Sequence, residues 1–200
     1  MSDITKLRIQ SKASVRDSIN SPIQIAEVSL PGVGAGPYGR IGLTLCPGKK
    51  DPSRLWSRDL EIDLQAIRQW GAIVVVTLME AHEMKLLQVE NMPLVAEQLG
   101  LRWLHLPIRD VDVPDERFAI EWKLHGPALH QLLDSGKNVL VHCRGGLGRS
   151  GLVAAQMLVE RGTEPANAIR QVRSARPGAI ETRQQEAYVH ICLNMPRALL

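Results

Sequence analysis

The sequence contains no apolar run that approaches the ~20 residues of a membrane-spanning helix. Asp3 and Lys6 interrupt the N-terminus where a signal peptide would be apolar. Both absences lead us to expect a cytoplasmic chain with no membrane partner. There is no C-x-x-C pair either. The three cysteines, Cys46, Cys143 and Cys192, are odd in number and far apart, which argues against a disulfide framework and against structural zinc. His82, His105, His125, His130 and His190 lack metal-ligand spacing, so neither metal nor cofactor is expected. Lysine and arginine form no run and do not interleave with aromatics. The net charge of +3 therefore suits an anionic substrate better than nucleic acid.

What is present suits one soluble domain: 200 residues, 44% hydrophobic and 22% charged. Residues 1–20 are polar and aperiodic and read as a flexible tail, with a single domain over 21–200. Short β-favouring runs at 23–28 and 41–45 flank a Gly/Pro loop, and LCPGKKDPS reads as another loop. Strands are expected at 73–78, 102–108 and 138–142. They alternate with helices at 57–70, 80–87, 94–99, 115–134, 149–161, 165–173 and 182–193. Gly126-Pro127 should kink or break the long helix. The alternation implies an α/β fold, a mostly parallel central sheet flanked by helices on both faces. The first two strands, with no helix between them, should add an antiparallel edge.

The chemistry concentrates in VLVHCRGGLGRSGLVAA, where a strand ends at His142-Cys143 and a helix starts near Arg149. Strand, glycine-rich loop and helix N-terminus form a recipe for holding phosphate, because amides turn inward and the helix adds its positive end. Neither the Walker A nor the G-x-G-x-x-G pattern fits the glycines at 145, 146, 148 and 151. A cysteine stands six residues before Arg149 instead. A thiol beneath amides, beside a helix N-terminus and a guanidinium, gives up its proton readily and becomes a nucleophile. Arg149 can grip two phosphoryl oxygens. Ser150 can support the thiolate as a leaving group, and His142 can fix the loop. Arg144, Gly145, Gly146, Leu147, Gly148 and Arg149 would supply the cradle. An isolated cysteine would be read as core packing; this company argues for chemistry.

Attack on a phosphate ester needs an acid for the departing oxygen. Asp110 and Asp112 lie in the loop after strand 102–108, and spacing leaves them even; Asp115 reads as a helix start.

HCRGGLGRSG matches H-C-x-x-G-x-x-R-[ST]-G of the cysteine-dependent tyrosine and dual-specificity phosphatases. With GLTLCPGKK, HLPIRD and RPGAIETRQQEAYVH in the same order, about residues 21–193 resemble the kinase-associated phosphatase group, related to the enzyme acting on cyclin-dependent kinases. The resemblance implies a phosphatase-type phosphate loop between a central strand and a helix, with Cys143 as nucleophile and Arg149 as clamp. Ser150 then supports the leaving group, Asp110 is the acid and Asp112 its understudy. It also implies a phosphoprotein substrate, a kinase among the candidates, and inhibition by phosphate-like oxyanions. One stretch departs. Relatives often carry Q-T-x-x-Q near the C-terminus, the first Gln placing water, whereas here Glu181 takes that position and only Gln185 matches. Thr182-x-x-Gln185 is equally a capping box.

The expected activity is hydrolysis of phosphotyrosine, with phosphoserine and phosphothreonine, through a cysteinyl-phosphate. Two other classes compete. A phosphate-recognising module with little turnover would have no use for Cys143, Asp110 and Arg149 together, and a rhodanese-type sulfurtransferase would not need Arg149-Ser150 leading into a helix. The uncharged Gly145, Gly146, Leu147 and Gly148 favour a monophosphate on a protein side chain. Cys46 reads as a passive thiol rather than a disulfide partner for Cys143. The four tryptophans read as packing, and Arg176 as a brace behind the cradle.

Overall fold

A computed structural model describes residues 14–30 and 38–192. In chain order the elements are β1 (Ala26–Val28), β2 (Ile41–Thr44), β3 (Lys50–Asp51), β4 (Trp56–Ser57), α1 (Leu60–Gln69), β5 (Ala72–Thr77), α2 (Ala81–Leu86) and α3 (Met92–Gln98). They continue with β6 (Arg102–His105), α4 (Glu116–Asp134), β7 (Asn138–His142), α5 (Gly148–Glu160), α6 (Pro165–Ala175) and α7 (Arg183–Cys192).

Five strands form one sheet in the order β1-β2-β7-β5-β6. β7 lies at its centre, parallel to β2 on one side and β5 on the other, and β6 is parallel to β5. Only β1 runs antiparallel. The expectation that the first two strands form an antiparallel edge therefore holds for β1 alone; β2 is an interior strand. Helices cover both faces, and alternate strand residues are buried on opposite sides. Val139 and Val141 of β7 join the core built with Phe118, Leu152 and Met157. Leu140 joins the core built with Leu64, Ile67 and Met92. No helix among the described residues is long and apolar enough to cross a membrane.

Pro127 does not break α4, which runs unbroken from Glu116 to Asp134. A proline inside a helix costs ~3 kcal/mol. Phe118 and Trp122 before it, and Leu129 and Leu133 after it, are all buried, at roughly 1.5–3 kcal/mol each. Packing on both sides of the proline wins.

The loop expected over LCPGKKDPS carries β3, which pairs with β4 as a two-stranded ribbon. That ribbon moves the start of α1 from 57 to 60, where the Asp59 side chain caps the Ile62 amide. Residues 1–13 of the expected tail lie outside the described residues, but residues 14–20 are docked, so that part of the expectation is corrected. The Arg16 amide bonds to the Leu55 carbonyl at 2.8 Å, and the Ser57 amide to the Arg16 carbonyl at 3.0 Å. Arg58 secures the segment. It grips Asp63 through two nitrogens, both at 2.7 Å, and donates to the Ser21 carbonyl at 2.7 Å.

Arg58 and Asp63 are each 1% exposed, so truncating one strands the other's charge in the core. Asp63→Ala should lower the unfolding free energy by about 3–5 kcal/mol, read as an earlier urea midpoint.

Candidate active site

β7 delivers Cys143 to the carboxyl edge of the sheet, where parallel strands open their crevice. The thiol is 3% exposed. Its Sγ accepts from the Gly146 amide at 3.3 Å and lies 3.5 Å from Ser150 Oγ. Leu147 is the N-cap of α5 and its side chain caps nothing, which leaves the first-turn amides without a side-chain acceptor.

The glycines differ in why they are there. Gly146 has φ +71°, and a Cβ on it would stand 2.3–2.6 Å from the Thr44 carbonyl group and Leu45 nitrogen, so the tip of β2 forbids any side chain. A Cβ on Gly148 would stand 2.4 Å from a Glu181 carboxylate oxygen and 3.1 Å from the Gln185 amide. Gly145 faces open space.

The loop is held from two sides. Arg176 donates to the Gly146 carbonyl at 3.2 Å and the Gly145 carbonyl at 3.3 Å, which is the expected brace. Lys49, buried, donates to the Arg144 carbonyl at 3.3 Å. The Arg144 side chain reaches Asp51 at 3.0 Å.

Arg149 is 1% exposed and has a partner the sequence did not suggest. Glu83, on α2, takes its fork at 2.6 and 2.9 Å. Arg149 also donates to the carbonyls of Ile108 at 3.1 Å and Leu78 at 3.4 Å, in the segments that follow β6 and β5. Burial works to raise the Glu83 carboxyl, but the Arg149 hydrogen bonds and the Glu80 amide outweigh it and hold the group below its ordinary value. Burial likewise opposes the Arg149 charge, and the Glu83 hydrogen bonds reverse that. The available hint for Glu83 was position: ME-A-H-E follows β5 directly, at the edge where the crevice opens.

The two aspartates separate clearly. Asp110 stands 2.8 Å from the Arg149 guanidinium, half exposed. Asp112 turns away: its side chain accepts from the Val113 amide at 2.8 Å, and its carbonyl accepts from Gln185 at 3.1 Å. Between them Val111 has φ +57°, a left-handed conformation unusual for a β-branched residue. Asp115 caps α4 through the Phe118 amide.

Gln185 is fully buried. Its amide N–H donates to Thr182 Oγ1 at 3.1 Å, half of a capping box, while its side-chain oxygen accepts from the Glu181 N–H at 3.0 Å. One glutamine thus ties the acid loop to the start of α7. His142 sits behind the thiol with Nε2 2.7 Å from Thr77 Oγ1, and burial pushes its pKa down to about 3, so the ring is neutral. Cys46 is buried, and burial pushes its thiol up, as suits a passive residue.

The family described as "Polymorphic toxin system, DSP-PTPase phosphatase" matches residues 49–163. Cyclin-dependent kinase inhibitor 3 of Rattus norvegicus is 32% identical over 177 residues, 87% of this chain and 80% of the rat protein. Protein tyrosine phosphatase type IVA 3 of Mus musculus is 30% identical over 60% of this chain and 65% of its own. The crystal structure of kinase associated phosphatase, with serine replacing its catalytic site cysteine, superposes with a TM-score of 0.73 at 28% identity. That match covers 86% of this chain and 94% of the other.

Burial lowers the Lys49 pKa to about 8, with the charges of Arg144 and Arg16 adding to the effect. An unfolded lysine titrates near 10.4, so between those values the unfolded chain binds a proton that the folded chain has released. Lys49 should therefore make the protein more stable as pH rises from about 8 to about 10. Urea midpoints across that window should climb relative to those of Lys49→Met, which lacks the group.

Proposed function

The chain belongs to the dual-specificity and tyrosine protein phosphatase family and is a cysteine-dependent protein phosphatase, and on that premise we propose how its residues share the reaction. Cys143 attacks phosphorus in line, forming the S–P bond as the ester P–O bond breaks. Asp110 passes its proton to the departing oxygen. Water then attacks the cysteinyl-phosphate, Asp110 takes the proton back, and Ser150 donates to the thiolate as it leaves. Arg149 and the loop amides from Arg144 onward carry the equatorial oxygens, whose charge grows in the transition state.

The observation that carries this reading is the seat of the sulfur: Sγ lies 3.3 Å from the Gly146 amide and 3.5 Å from Ser150 Oγ, at the mouth of an uncapped helix. Asp110 is favoured over Asp112 because it alone of the two stands at Arg149. Gln185, which joins Glu181 to the acid loop, is favoured to order the hydrolytic water.

Substrates are phosphotyrosine with phosphoserine and phosphothreonine on proteins. The names of the rat relative and of the crystallised phosphatase connect those proteins with kinases, and a phosphorylated kinase is a fitting partner here. Phosphate-like oxyanions should compete for the cradle. Three free thiols suit the reducing cytoplasm.

Cys143→Ser should abolish hydrolysis of p-nitrophenyl phosphate while phosphate-analogue binding stays measurable by calorimetry; retained turnover would refute the assignment. Asp110→Ala should lower kcat by about 10²–10⁴-fold and flatten the alkaline limb of its pH profile, where the general acid loses its proton. Asp112→Ala, measured alongside, should leave that limb in place.

A further inference from the structure

Around Trp56, next to the cradle, positive charge accumulates beyond what the fold uses. The Arg16 guanidinium lies 3.7 Å from the ring centroid and the Lys49 ammonium 4.4 Å. Arg16 also donates to the Arg54 carbonyl at 3.0 Å, and the Arg54 charge is near enough to Asp51 to lower its pKa, a third cation at the ribbon. Arg144, the first residue of the phosphate loop after Cys143, closes the group through Asp51 at 3.0 Å. Arg58, 5.7 Å from the same ring, is neutralised by its fork to Asp63 and does not count.

That leaves Arg16, Lys49, Arg54 and Arg144 facing one carboxylate, Asp51. The imbalance has a physical trace: besides burial, Arg144 and Arg16 both disfavour the Lys49 charge. Asp51 responds in kind. Its hydrogen bond from Ser53 lowers its pKa most, burial opposes, and Arg144 and Arg54 lower it further. Like charges that outnumber their one carboxylate are relieved by an anion from outside. Arg16 and Arg54 are exposed and the Arg144 side chain is 31% exposed, so the wall can be reached from solvent. Lys49 supports it from beneath.

We propose that Arg16, stacked on Trp56, together with Arg54 and Arg144 beside Asp51, binds a second anionic group of the substrate, carried by a residue adjacent to the phosphorylated one. The backbone of Arg144 belongs to the cradle and its side chain to the wall, so the two anions are read side by side. The class of substrate is a phosphopeptide with a neighbouring carboxylate or phosphate. This inference rests on the phosphatase reading above and refines its substrate.

The test compares kcat/KM for three phosphotyrosine peptides identical except for the flanking positions, which carry glutamine, glutamate or phosphoserine. p-Nitrophenyl phosphate serves as the common reference. The wild type should prefer glutamate to glutamine by about tenfold, the scale of one charge-assisted contact, and phosphoserine by more; added salt should shrink both ratios. Arg16→Gln/Arg54→Gln should reduce the preference to about twofold with p-nitrophenyl phosphate turnover unchanged. Asp51→Asn removes the wall's counter-charge and should move the preference the other way, upward. Equal rates for the three peptides in the wild type overturn the proposal, as does a preference that survives the double substitution. A soluble inositol bisphosphate that competes better than the glutamate peptide also overturns it, because the wall then serves a different ligand. No turnover of p-nitrophenyl phosphate would instead sink the phosphatase reading itself.

Discussion

The buried fork between Arg149 and Glu83 is the interaction on which the site depends. A buried ion pair of this kind adds little to stability, because desolvating both charges costs about what their attraction returns. Its value is aim. The guanidinium is held by a carboxylate on α2 and by carbonyls at Leu78 and Ile108, so four parts of the chain must be in register before it points into the cradle. The clamp is therefore set by the sheet and not by the loop that contains it, so the guanidinium is already aimed when an oxyanion arrives and only the Asp110 carboxylate has to give way.

The same logic runs through the rest of the loop. Arg176 holds it from the α6 side, Lys49 from the ribbon side, and the tip of β2 presses on Gly146 so closely that a Cβ cannot fit. A short loop rich in glycine would be soft in isolation. Here Arg176, Lys49 and the tip of β2 restrain it.

Much of this was legible in the residues. β7 reaches from Asn138 to His142, one residue beyond each end of its apolar run Val139–Val141, because a strand buried on both faces writes its limits in hydrophobicity. The loop chemistry is also local: cysteine, glycines, arginine and serine lie within eight residues of one another. What could not be read is what pairs across the fold. Glu83 lies 66 residues from Arg149, and no spacing rule joins them. Spacing alone leaves Asp110 and Asp112 even; the resemblance of HLPIRD singles out Asp110, and only the surroundings supply the physical reason. β3 and β4 hold two residues each, too few to show a period, and residues 14–20 look polar because they dock through backbone and charge rather than through apolar side chains.

Val111 has a consequence beyond its own geometry. A β-branched residue at φ +57° carries roughly 1–3 kcal/mol of conformational strain, and the peptide next to it is pinned where Asp110 meets Arg149. The carboxylate that an incoming oxyanion must displace from the guanidinium thus sits on the most strained stretch of the acid loop. Acid and substrate therefore contend for one arginine, and the main chain beside it is the part least at ease where it stands.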